Sequence, residues 1–166
     1  KGVKYYFVQD YESWDSNLEL VDNSYLLNLK KITISKYLSD LLFKKLNVKS
    51  ETVLNGIDYN IFRQKNSRQE NKEHLTITYI DYKLNKKNTE AAIKASISLK
   101  QIYPQIKTLS FGLKQFHKHP EFVKFYPDPS QEKIADIYNM TDIFLFTSSE
   151  EGFGLPPAEA MACGAA

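Results

Sequence analysis

Two hydrophobic rhythms alternate along the chain. Short apolar or β-branched runs of strand length are followed by stretches in which apolar residues return every three or four positions. Strands are predicted at 5–8 (Tyr5-Tyr6-Phe7-Val8), 32–34, 51–54, 75–80, 107–111, 121–125 and 142–146. Helices are predicted over 15–29 and 88–102, the latter with Ala91, Ala92, Ala95 and Leu99 facing inward. Ser35 is placed to cap a further helix carrying Leu38, Leu41, Leu42 and Leu46. Another opens at Pro129-Ser130 and runs to about 139, and a last one starts near Pro157. Asn55-Gly56 marks a turn, after which 57–62 reads as extended. From 64 to 73 the residues are polar and charged without a period, as expected of a surface linker, and a domain boundary is predicted there. The nearly continuous apolar run at 142–146 suits a strand covered on both faces of a parallel sheet. Strands alternating with helices predict an α/β fold built on a mainly parallel sheet.

Composition narrows the function classes. The chain has 166 residues, of which 42% are hydrophobic, enough for a buried core. The 22 basic and 20 acidic side chains leave a net charge of +2, too balanced to imply a nucleic-acid partner. A pI near 8.5 leaves weak attraction to acidic lipid open. No apolar run is long enough for a signal peptide or a membrane span. The expected location is therefore the cytoplasm, with peripheral contact at the cytoplasmic face of a membrane left open. Cys163 is the sole cysteine, which excludes an internal disulfide, and its apolar neighbours predict a buried structural thiol. The chain begins Lys-Gly-Val and stops just after an apolar helix, so a truncated piece of a longer protein is expected.

The segment 147–162 carries the chemistry. A buried strand is expected to end at Phe146, a loop with Gly152 and Gly154 follows, and a helix begins with Pro157 near its first turn. Ligands of open α/β sheets sit outside the carboxyl ends of the strands, and a helix N-terminus offers N–H groups and a partial positive charge. The two glycines let the backbone come close to a phosphate or a sugar hydroxyl. Glu151 and Glu159, with seven residues between them, place one carboxylate in the loop and one in the first helical turn. Both could accept from sugar hydroxyls. On the residues alone, Glu159 could equally serve the helix dipole while Glu151 is solvated.

The stretch Glu151-Gly-Phe-Gly-Leu-Pro-Pro-Ala-Glu159-Ala-Met-Ala-Cys-Gly resembles the Glu-x7-Glu motif of GT-B retaining glycosyltransferases, especially glycosyltransferase family 4, the glycosyl transferases group 1. Val53-Leu54-Asn55-Gly56-Ile57-Asp58-Tyr59-Asn60-Ile61-Phe62 is similar to that family's entry into its C-terminal domain. Ile32 to Leu38 and Tyr138 to Phe146 resemble the strand and helix pieces on either side, so the likeness runs from about Tyr5 to the end. It implies a Rossmann-like parallel sheet flanked by helices, the C-terminal half of a GT-B fold, truncated. It also implies a division: 1–62 as a remnant of the N-terminal domain with the interdomain connection, 63–73 as linker, and 74–166 as the nucleotide-sugar-binding domain.

The reaction implied is transfer of a hexosyl or rhamnosyl group, with retention of configuration, from a UDP-, GDP- or dTDP-sugar to a glycan or lipid-linked acceptor in bacterial polysaccharide synthesis. Neither a cofactor nor a metal is implied. By the resemblance, Glu159 holds the ribose, Glu151 contacts the donor sugar, and the backbone around Gly152, Phe153, Gly154 and Leu155 holds sugar hydroxyls and the diphosphate. Tyr126, with Pro127 and Asp128, stands where the family meets the nucleotide base. Where the family has Gly-Arg and then a Lys, this chain reads Ile80-Asp81-Tyr82-Lys83-Leu84-Asn85-Lys86-Lys87-Asn88: the Arg is missing, and Lys87 fits the Lys position best, with Lys83 or Lys86 as substitutes. Lys87 and Glu151 are thus the implied catalytic pair, in a piece expected to be inactive alone. A non-catalytic nucleotide-sugar-binding module is the alternative. No Gly-x-Gly-x-x-Gly follows a strand and no Walker-type Gly-Lys-Ser/Thr is present, which argues against a dehydrogenase or P-loop protein. His117 and His119 flank Lys118 in a loop, with no further ligands to suggest a metal.

Overall fold

The computed structural model describes residues 2–12, 17–65 and 74–166. Most of the expected linker, 66–73, and residues 13–16 of the first expected helix lie outside them. The chain gathers into two compact units. One holds Lys1–Gly56 with Glu151–Gly154, the other Ile57–Glu150 with Leu155–Ala166.

In the first unit, β1 (Tyr5–Val8), β2 (Lys30–Thr33) and β3 (Ser50–Thr52) form a parallel sheet in that order. Parallel neighbours need a crossover, and α1 (Leu18–Leu26) and α2 (Lys36–Leu46) supply the two. Ser35 caps α2 as expected: its hydroxyl accepts from the Leu38 N–H at 3.2 Å. Asn47 closes the helix in the left-handed region, with φ 55°. Val8, Val21, Tyr25 and Leu42 form the core, each fully buried large apolar side chain contributing roughly 1.5–3 kcal/mol. The first helix is shorter than its pattern predicted. Asn17 caps it by accepting from the Glu19 N–H at 2.9 Å, and it ends at Leu26, where the buried Lys31 ammonium donates to the carbonyls of Leu27 and Leu29.

In the second unit, β4 (Thr76–Ile80), β5 (Lys107–Gly112), β6 (Val123–Pro127) and β7 (Ile143–Phe144) form a parallel sheet of order β6-β5-β4-β7. α3 (Thr89–Ile102) connects β4 to β5, and α4 (Gln131–Met140) follows β6. Ala135, Ile137 and Tyr138 of α4 pack with Leu109, Phe111 and Phe62 as the core, which Cys163 joins; burial pushes its thiol up. The α/β expectation with parallel sheets therefore holds.

Several boundaries move for local reasons. Residues 57–62 are not extended: Asp58 turns the chain, its carboxylate accepting from Asn60 N–H and its carbonyl from Phe62 N–H. That turn directs Phe62 into the core. β6 starts two residues later than expected, because the Val123 N–H is taken by the Pro120 carbonyl in a turn. β7 is shorter than its apolar run predicted, and Ile143 within it and Phe146 beyond it are exposed; β4 pairs with it along one edge. On its other side Ala166 donates to Asp142 and accepts from Phe144, so the end of the chain packs against β7 rather than trailing free.

Candidate functional site

α5 (Leu155–Ala162) begins directly behind Gly154, whose φ of 87° is a conformation that L side chains rarely adopt. Two prolines, Pro156 and Pro157, occupy its first turn. They fit because the first four N–H groups of a helix have no internal partner. They also remove two of the N–H groups that this helix start could offer an anion, so Leu155 is the first residue of the turn that keeps a donor.

α5 starts two residues earlier than expected, so Glu159 is its fifth residue and opens the second turn rather than standing in the first; it is half-buried. Burial pushes its carboxyl above the ordinary value. It borders a cavity of about 450 Å³ in the second unit, within the size range of small-molecule sites. The floor is the C-terminal ends of β4 and β5, with Ile80, Asp81, Phe111 and Gly112. This is the carboxyl edge where open α/β sheets bind ligands. Ile134 and Tyr138 of α4 and Pro156 of α5 form another wall, and Leu113 and Phe116 a third. Polar groups converge on a mostly apolar lining, and Lys83 and Asp128 stand among them. Burial, and secondarily the charge of Glu159, hold the Tyr138 phenol protonated far above its usual range.

The expected lysines separate. Lys83 borders the large cavity, whereas Lys87 borders a smaller adjoining cleft with Tyr82, Thr147 and Ser148. Lys87 ends a short 3₁₀ turn, and its ammonium lies 5.3 Å from the centre of the Tyr82 ring. The loop after β7 pins that turn. Ser149 donates through its N–H and its hydroxyl to the Lys86 carbonyl, at 2.9 and 3.1 Å, and the Thr147 hydroxyl donates to the carbonyl of Lys87. Tyr126 packs against the core of the second unit, with the Lys124 and Lys133 ammonium groups near its ring; Asp128, two residues on, is the part of that strand end that reaches the cavity.

Residues 60–166 match the family model for glycosyl transferases group 1. The chain belongs to that family. Among curated glycosyltransferases, a serotype-specific mannosyltransferase WbdA of Escherichia coli is 37% identical over 109 residues, 55% of this chain. Those residues are 13% of the relative, so the chain spans only a small part of its length. Among solved structures, sucrose-phosphate synthase from Thermosynechococcus elongatus superposes with a TM-score of 0.72 over 97% of this chain and 48% of its own, at 18% identity. A pneumococcal O-GlcNAc transferase GtfA, solved with UDP and GlcNAc, gives 0.70 over 97% of this chain and 36% of its own, at 14% identity. These likenesses place the fold with the GT-B glycosyltransferases.

The glycosyltransferase motif divides between the units. Glu151, Gly152, Phe153 and Gly154 belong to the first, Leu155 and Glu159 to the second. Glu151 is half-buried in the loop. Gly152 is buried, and a Cβ there would come within 1.9 Å of the Gln9 carbonyl oxygen, so in this unit its bareness makes room for protein backbone. The pattern of residues had no means of showing Asp81 as a site residue. It stood only within the stretch where the family carries Gly-Arg, and its partners, His117 and His119, are brought to it by the fold alone.

Proposed function

We propose that this chain is the donor-binding part of a retaining glycosyltransferase that moves a sugar from a nucleoside diphosphate sugar to an acceptor hydroxyl during bacterial glycan synthesis. The observation that carries the reading is Glu159, a half-buried carboxylate near the start of α5, bordering a cavity at the carboxyl edge of a parallel sheet. Family membership and the mannosyltransferase relative support the class of reaction.

In this reading Glu159 accepts hydrogen bonds from the two ribose hydroxyls. Such bonds to an ionised acceptor contribute roughly 1.5–3 kcal/mol each. The Leu155 N–H at the start of α5 faces the diphosphate, assisted by a lysine of the 83–87 segment acting as a point charge. Glu151 contacts the donor sugar. Bond breaking then needs positioning and stabilisation of the departing diphosphate, and no protein nucleophile.

Calorimetric titration with UDP, GDP and dTDP tests the reading. At least one should bind, and Glu159→Ala should weaken it by roughly 1–3 kcal/mol, the cost of a lost charged acceptor. Absence of heat with all three at millimolar concentration would sink the reading. Equal affinity in the variant would remove Glu159 from the ribose. Retention is read on the full-length enzyme, from the anomeric configuration of its product by NMR.

A further inference from the structure

Asp81 follows β4 at the floor of the cavity, and its side chain is fully buried. A buried carboxylate survives only where donors replace water. Four do so here. Oδ1 accepts from His117 Nδ1 at 2.6 Å. Oδ2 accepts from His119 Nε2 at 2.9 Å and from the backbone N–H groups of Phe116 and His117 at 2.9 and 3.2 Å. Burial alone would raise this carboxyl, but the imidazole and backbone donors outweigh it and hold it below the ordinary value.

The second histidine is itself built in. With Nε2–H given to Asp81, His119 Nδ1 is left to accept from the Tyr79 hydroxyl at 2.6 Å. The His119 ring stacks between Tyr79 and Phe125, with centroids 5.6 and 5.3 Å away. One buried carboxylate thus ties the whole segment from Gly112 to His119 to the end of β4. That segment carries Leu113 and Phe116, the apolar wall of the cavity. Leu113 is 71% exposed and Phe116 half-buried, so neither is held there by a core of its own.

We propose that Asp81 is a positioning residue for the donor. It acts through the His117–His119 segment by holding Leu113 and Phe116 where a bound nucleotide packs against them. Its oxygens are committed to four donors, so it does not touch the ligand. The inference rests on the reading of the cavity as a nucleotide site. The two can be separated, because His117 is partly exposed and contributes a single side-chain bond to the network.

The test compares wild type with His117→Ala and His117→Asn, titrated with UDP and GDP, with hydrogen exchange followed at the Phe116 and His117 amides. Asn can donate from a position near Nδ1, and Ala cannot. His117→Ala should weaken whichever nucleotide binds by about tenfold, as for one lost bond to a charged acceptor, and speed exchange of both amides. His117→Asn should recover affinity to within about threefold of wild type. A folded His117→Ala protein with unchanged affinity overturns the inference, as does an Asn variant no better than Ala. If His117→Ala does not fold, the comparison of wild type with His117→Asn decides: a loss of tenfold or more in the Asn variant overturns the inference, and near-wild-type affinity supports it. A wild-type protein that binds neither nucleotide, nor dTDP, overturns the donor-site reading and the inference with it.

Discussion

Glu159 and Asp81 border the same cavity, one near the start of α5 and the other at the end of β4, and their surroundings differ in how many donors reach the carboxylate. Asp81 receives four hydrogen bonds and is held below its ordinary value. The Glu159 carboxylate is half-buried, accepts no hydrogen bond from the described residues, and is pushed up by burial. A carboxylate whose lone pairs are filled by protein is part of the framework. One that is desolvated without compensation destabilises the empty protein and is suited to donors brought by a ligand.

The largest break in this contrast should come at Asp81. Asp81→Ala strands two imidazoles and two backbone N–H groups in a buried site, and removal of one partner from such a buried network costs about 3–5 kcal/mol. Urea unfolding should show the loss in its midpoint. The contribution of Asp81 is present above 3.8, its ordinary value, and is lost as pH falls through the lower folded value.

Glu159→Gln should do the opposite at neutral pH. It should melt no lower than wild type, and higher if the raised value reflects an uncompensated charge, while still weakening nucleotide binding. The sign follows from linkage. A raised carboxyl favours the protonated fold, so the stability this group contributes is full below about 4.5 and is lost as pH rises through the raised value. The stability gap between Gln variant and wild type should therefore close on acidification, and nucleotide affinity of the wild type should fall over the same window. Thermal melts and titrations at pH 7 and pH 4 measure both. A Gln variant markedly less stable at pH 7 would mean that Glu159 has structural donors after all.

The smallest effect belongs far from the cavity. Ser35→Ala removes the cap of α2 and should cost about 1 kcal/mol of stability, with nucleotide affinity unchanged. A change in affinity there would show that the contrast between the two carboxylates is not local to the second unit.

Much of the architecture was legible because local signals agreed with the final packing. The Ser35 cap, the helical period of α3 and the apolar runs of β4 and β5 each specify their element without help from distant residues, although the buried face of α3 is Thr89, Ala92 and Ser96 rather than the expected Ala91, Ala92, Ala95 and Leu99. The signals failed where a side chain redirected the backbone. Asp58 turned an expected extended segment, and the Pro120 carbonyl delayed β6. The Glu159 end of the site could be read because its carboxylate lies within one contiguous motif. The Asp81 end could not, since a Tyr and an Asp at the end of β4 and two His more than thirty residues on carry no spacing that marks them as partners.

The central claim is that the cavity between β4, β5 and α5 receives a nucleoside diphosphate through Glu159. Amide NMR spectra of the isotope-labelled chain, recorded while UDP, GDP or dTDP is added, test it most directly. The account predicts saturable shifts concentrated at Gly112, Leu113, Phe116, Ala158 and Glu159, and their loss or marked weakening in Glu159→Ala. Saturable shifts confined to residues outside that cavity, or shifts unchanged in the variant, would contradict it.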